Sequence, residues 1–180
     1  MAFGYNLSVS PLQTLMLYNA VANNGKLVKP YLVKSIKDQG VTVREFQPIV
    51  LNDQLVSAQT LQQLKVCLEG VCHSEYGTAR RLFQNAAYRA AGKTGTSLVA
   101  DGNRGYADKI YQSSFAGYFP AENPQYSCIV VIRNKPQALK FYGADVAGPV
   151  FREIADRLYA TYVRGVDKKT NRNQIGRAHV

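Results

Sequence analysis

Three apolar segments in the second half of this chain constrain its fold more than any other feature. Ala90 to Val99, Ser113 to Phe119 and Tyr126 to Ile132 each have the length of a strand. Asp101-Gly102-Asn103-Arg104-Gly105 is a turn cluster, and Pro120 ends the second segment. Such short, turn-rich connections predict an antiparallel meander. The third segment is apolar almost throughout and is expected to be buried on both faces. A helix over residues 146–162 should follow, with Val150, Ile154, Ala155 and Leu158 on its inner stripe.

The first half reads differently. Ser10-Pro11-Leu12-Gln13 is a helix start: Ser10 can cap, Pro11 loses nothing by lacking an N–H, and Gln13 can close a capping box. Leu12, Leu15, Met16 and Asn19 share one face, and Gly25 is a natural stop. Residues 31–37 read as a strand, turned at Asp38-Gln39-Gly40 toward a hairpin partner at 41–46. A second helix begins near Ser57 and is expected to bury Leu61, Leu64, Val66 and Leu68 before Gly70, with a short helix through 78–83. Helices, then sheet, then helix define a mixed α+β class, an antiparallel sheet flanked by helices. Residues 1–165 are expected to form one unit. Residues 166–180 are expected to be a disordered tail, with Gln174 to Val180 non-native in character.

Composition removes several function classes. With 180 residues and 46% hydrophobic content, one domain with a sizeable core is expected. The formal charge of +10 suits anionic surroundings, but the cations are scattered and no basic run is interleaved with aromatics. Nucleic acid is therefore not expected as a partner. The longest apolar run, Cys128 to Ile132, falls far short of the ~20 residues of a spanning helix. Met1-Ala2-Phe3-Gly4 has no signal-peptide character. Cys67, Cys72 and Cys128 are odd in number, which argues against a disulfide framework. Cys67-x4-Cys72-His73 has no evident fourth ligand, so packing is expected there rather than zinc. No metal and no cofactor are expected.

One segment carries a chemical signature, Ala90-Ala91-Gly92-Lys93-Thr94-Gly95-Thr96-Ser97. Two readings compete for it. Ala87-x4-Gly92-Lys93-Thr94 fits a relaxed phosphate loop, which needs a hydrophobic strand before it and a helix after it. Here Gln84-Asn85-Ala86-Ala87 precede, and Gly95 with the β-branched Thr96 follows, so that reading is the weaker one. The other is the Lys-Thr-Gly strand of serine acyl-transferases that bind penicillin. A cation and two hydroxyls on a strand edge can hold a carboxylate through charge-assisted hydrogen bonds. Gly95 lets a substrate or a neighbouring helix approach the backbone, and the Thr96 N–H can stabilise a developing oxyanion. Ordinary strand propensity for the two threonines and a solvated edge charge for Lys93 are the plainer explanations.

The surrounding segments add weight. Gly4-Tyr5 through Gln13, Asn23 to Pro30, Gly77-Thr78-Ala79, Tyr111 to Pro120 and Val146 to Phe151 resemble, in family order, segments of class B penicillin-binding proteins. Septal transpeptidases of cell division are the nearest resemblance, and elongation enzymes come next. The resemblance implies the C-terminal part of a β-lactamase/transpeptidase-like domain and a role in peptidoglycan cross-linking. Lys93 would polarise the site and hold the substrate carboxylate. Thr94 and Thr96 would donate hydroxyls, Gly95 would allow close approach, and the Thr96 N–H would help form the oxyanion hole.

No Ser-x-x-Lys or Ser-x-Asn motif occurs. In the family both precede the region matched here, so the nucleophile is expected in an N-terminal half of the same domain, and this piece alone should be inactive. Stem peptides, β-lactams, that missing half and divisome proteins are the implied partners. A single-pass membrane anchor upstream would hold the domain on the extracytoplasmic face. A non-catalytic β-lactam sensor, or a module that captures a peptide on its sheet edge, are the rival readings.

Overall fold

A computed structural model describes residues 9–100 and 105–163. The turn cluster expected at 101–105 and the tail expected from 166 lie largely or wholly outside the described residues.

The first helix, α1 (Pro11–Ala22), starts as its sequence dictates. Ser10 Oγ accepts from the Gln13 N–H at 3.2 Å and Gln13 Oε1 accepts from the Ser10 N–H at 2.9 Å. It stops where Asn24 and Gly25 turn to positive φ. A two-residue strand β1 (Leu27–Val28) pairs with β4 (Val50–Asn52), a pairing too short to carry an alternation in sequence. The hairpin β2 (Ser35–Asp38) and β3 (Val41–Glu45) forms as expected around Gln39 and Gly40, both at positive φ. The strand expected from residue 31 begins only at Ser35, and Tyr31, Leu32 and Val33 are exposed.

Helix α2 (Ala58–His73) is capped by Ser57 and runs through Gly70 instead of ending before it. Its inner row is Leu61, Leu68 and Cys72, whereas Leu64 and Val66 are exposed, contrary to expectation. The turn after it packs back tightly. A Cβ at Gly77 would lie 2.5 Å from the carbonyl oxygens of Gly70 and Val71, so only glycine fits. That turn leads into the short helix α3 (Arg80–Phe83).

The three apolar segments form one antiparallel sheet in the order β5-β6-β7: β5 (Ala91–Val99), β6 (Ile110–Phe119) and β7 (Tyr126–Arg133). Strand β6 begins three residues before the expected start. Strand β7 lies at the sheet's edge and is half-buried along most of its length, a correction to the expectation of burial on both faces.

The final helix, α4 (Gly143–Leu158), continues as a π-helical turn through Tyr159–Val163. It starts three residues before the expected position, leaving Pro149 inside the helix. It buries Ala147, Gly148, Phe151 and Ala155, while Val150 on the expected inner stripe is exposed.

Both faces of the sheet are packed. Phe115 and Phe119 meet Phe83 and Phe151 on the α4 side, with ring centroids 4.6–6.2 Å apart. Ala91 and Tyr118 face Val21 and Ala121 on the other side, against α1 and α2. The result is a three-layer arrangement with β6 at its centre.

Candidate active site

Strand β5 runs straight through Lys93, Thr94, Gly95 and Thr96, in unbroken register with β6 from Ala91 opposite Tyr118 to Val99 opposite Ile110. No helix follows Thr94, so the phosphate-loop reading is excluded. All four expected site residues lie on an edge strand, because among the described residues β5 pairs with β6 alone.

The edge is covered at one end and open beyond it. Ala90 N–H donates to His73 Nε2 at 2.9 Å, and Gly92 N–H bonds the Cys72 thiol, so α2 caps the start of the strand. Along an antiparallel strand, N–H groups point to the same side every second residue. The N–H groups of Thr94 and Thr96 therefore share the outward direction of Ala90 and Gly92, past the end of that cover.

The side chains straddle this edge. Alternation puts Lys93 and Gly95 on the face of Ala91, toward α1, and puts Thr94 and Thr96 toward α4. Lys93 Nζ reaches over the edge and donates to the Thr94 carbonyl at 2.8 Å and to Thr94 Oγ1 at 3.2 Å. Thr94 Oγ1 stands 3.3 Å from Thr78 Oγ1, and Thr96 Oγ1 accepts from the Gly143 N–H at 3.1 Å. A Cβ at Gly95 would lie 2.3 Å from Ser114 Oγ.

Several contributors escape sequence reading. Thr78, Arg81, Tyr142, Gly143 and Asp145 join Thr94 and Thr96 around a groove of about 430 Å³. Thr78 sits in a turn that the sequence singled out without giving it a role. Ser113, the buried polar residue opposite Thr96, donates to the Phe141 carbonyl at 2.6 Å and accepts from Asn134 Nδ2 at 2.7 Å. This clasp holds the approach to α4 against the sheet.

The groups behind the edge are held neutral. Burial, with a smaller push from Glu69, raises the Cys72 thiol to about 12. Burial and then the Arg89 cation lower His73, leaving Nε2 as an acceptor for Ala90. The Cys67–Cys72–His73 run is thus dispersed into an exposed thiol, a packed thiol and a strand cap. Among the described residues, no group of three His, Cys, Asp or Glu side chains could hold a metal ion.

The sheet, its flanking helices and this edge define a β-lactamase-like transpeptidase fold. The chain superimposes on the transpeptidase domain of Burkholderia pseudomallei penicillin-binding protein 3 with a TM-score of 0.65 and 31% identity, covering 91% of this chain and 46% of that one. Penicillin-binding protein 3 from Mycobacterium tuberculosis, in complex with aztreonam, gives a TM-score of 0.69 at 31% identity, covering 87% and 36%. Residues 1–156 match the penicillin binding protein transpeptidase domain, and the chain belongs to that family.

Its relatives are of the class B type. Stage V sporulation protein D of Bacillus subtilis is 35% identical over 156 residues, covering 85% of this chain and 23% of the relative. The probable peptidoglycan D,D-transpeptidase PbpC of Pseudomonas aeruginosa is 33% identical over 154 residues, covering 86% and 25%. An FtsI homolog from Mesostigma viride is 31% identical over 172 residues, covering 87% and 28%. The chain therefore spans about a quarter of the length of these relatives. Among the described residues, no helix is long and apolar enough to cross a membrane.

Proposed function

We propose that this chain is the C-terminal part of a peptidoglycan D,D-transpeptidase domain and supplies the substrate strand for serine acyl transfer in cell-wall cross-linking. The observation that carries this reading is the edge of β5, where a cation, two hydroxyls and an outward N–H converge on one open line.

In this reading a serine hydroxyl, supplied by a Ser-x-x-Lys helix outside the 180 residues, attacks the carbonyl between the two terminal D-alanines of a stem peptide. The Thr96 N–H, with the serine's own N–H, stabilises the oxyanion. The terminal D-alanine leaves as its nitrogen takes up a proton, and an acyl-serine remains. An amine from a neighbouring strand then displaces the serine. Lys93, Thr94 and Thr96 hold the carboxylate end, and Gly95 keeps the strand surface clear. A β-lactam would stop at the acyl-serine. By the same family relationship, the parent protein is anchored in the cell membrane with this domain on the extracytoplasmic face, and works with division proteins.

Incubation with a fluorescent penicillin, followed by denaturing electrophoresis, tests the assignment. The 180-residue chain alone should carry no stable label. Mixed with the segment bearing Ser-x-x-Lys, it should promote labelling of that segment. A label on the isolated chain would show that the nucleophile has been misplaced.

A further inference from the structure

Arg81 is an exposed arginine on the short helix α3. Arg89 pairs with Glu69, and Arg152 with Asp156, but among the described residues Arg81 makes no ion pair or hydrogen bond. It lines the same groove as the hydroxyls of Thr78, Thr94 and Thr96. Its backbone is rigidly placed. The Arg152 guanidinium donates to the carbonyl of Leu82, the residue after Arg81, and to that of Asn85. Ala79 and Phe83 on either side are buried. Gly148 lets α4 come close, since a Cβ there would lie 2.4 Å from Leu82 Cδ1.

We propose that Arg81 is a specificity-determining residue of this site, supplying the countercharge for the substrate's terminal carboxylate alongside Thr94 and Thr96. The proposal rests on the reading of β5 as the substrate strand. A guanidinium presents a planar fork that matches a carboxylate, whereas an ammonium is a point charge. Lys93 approaches from the opposite face and is engaged by the Thr94 carbonyl and hydroxyl. The two cations thus flank the carboxylate end, Lys93 from the edge and Arg81 from the groove. Among the described residues, Asp145 is the one carboxylate lining the groove, and it opposes an incoming anion.

The test is a titration of the 180-residue chain with N-acetyl-D-alanyl-D-alanine and with its C-terminal amide, followed through the backbone amide signals of Thr94 and Thr96. The acid should bind more tightly than the amide. Arg81→Gln should weaken the acid roughly 10-fold, the scale of losing a charge-assisted hydrogen bond, and leave the amide unchanged. Arg81→Lys should restore part of the loss, and Asp145→Asn should tighten the acid. Unaltered acid binding in Arg81→Gln, or equal losses for acid and amide, would overturn the assignment while leaving the strand's role intact. If a protein joining this chain to its Ser-x-x-Lys helix bound neither ligand, the substrate reading of β5 would fall together with the proposal.

Discussion

The Gly143 N–H donates to Thr96 Oγ1 at 3.1 Å, so the first residue of α4 is capped by a hydroxyl 47 positions earlier in the chain. Nothing near Gly143 could announce this, because Tyr142 precedes the helix without a capping side chain. The contact is also tight. A Cβ on Gly143 would lie 2.4 Å from the Ser114 carbonyl oxygen and 2.6 Å from that of Gly95. These are backbone atoms within the sheet and have no rotamer to change. Gly143→Ala is expected to destabilise the chain by roughly 1–3 kcal/mol, the usual range for overpacking. Urea unfolding would measure it, and amide exchange at the start of α4 should rise.

Gly95 presents the opposite case. An added Cβ would meet the Ser114 hydroxyl at 2.3 Å, but that hydroxyl is the far end of a side chain. Gly95→Ala should therefore cost less than Gly143→Ala. Its cost should fall further when combined with Ser114→Ala, a positive coupling between neighbours of the kind double-mutant cycles resolve. Additive costs for the two substitutions would count against the geometry.

His73 makes stability depend on pH. Its folded value lies below the ordinary 6.5 because of burial and then Arg89, which outweigh the hydrogen bond with Ala90 and the charges of Glu69 and Glu122. The unfolded chain therefore binds the proton more readily. The His73 contribution is complete above about pH 6.5 and is lost as pH falls through the lower folded value. Protonation also removes the acceptor for the Ala90 N–H. Thermal unfolding between pH 7.5 and 5 should show a decline that His73→Gln flattens, since Gln is neutral throughout and offers an acceptor oxygen.

Tyr118 is fully buried, and its hydroxyl finds no hydrogen-bond partner among the described residues. Burial raises this phenol to about 12, so it stays protonated. An unpaired buried hydroxyl carries a desolvation cost, so Tyr118→Phe should leave stability unchanged or raise it by about 1 kcal/mol. A loss of 2 kcal/mol or more in urea unfolding would contradict the picture of an unpaired hydroxyl.

What was legible in the sequence was local. Ser10, Pro11 and Gln13 announced α1, Gln39 and Gly40 announced the hairpin, and strand-length apolar segments with short, turn-rich connections announced the three-stranded sheet. The four residues of the motif could be placed on a strand for the same reason. Tertiary relationships were not legible. The exposure of Val66 and Val150 depends on which side of each helix meets the sheet, and the hydrophobicity of one residue does not reveal that. Placing the last helix at 146 puts Pro149 in the first turn, where its missing N–H is harmless. The Thr96 cap pulls the start back to Gly143 instead. Arg81 and Thr78 precede Lys93 by 12 and 15 residues in sequence, and the packing of α3 on α4 brings them to its groove.

The most direct measurement is the rate of penicillin acylation in a protein that contains this chain together with its Ser-x-x-Lys helix, comparing Lys93 with Lys93→Ala. Lys93 is on an exposed edge and contributes little to the core, so unfolding should barely change. If the edge of β5 is the substrate strand, acylation should slow by roughly 100-fold or more, as when a donor to developing negative charge is removed. An unchanged acylation rate in a folded Lys93→Ala protein would contradict the account.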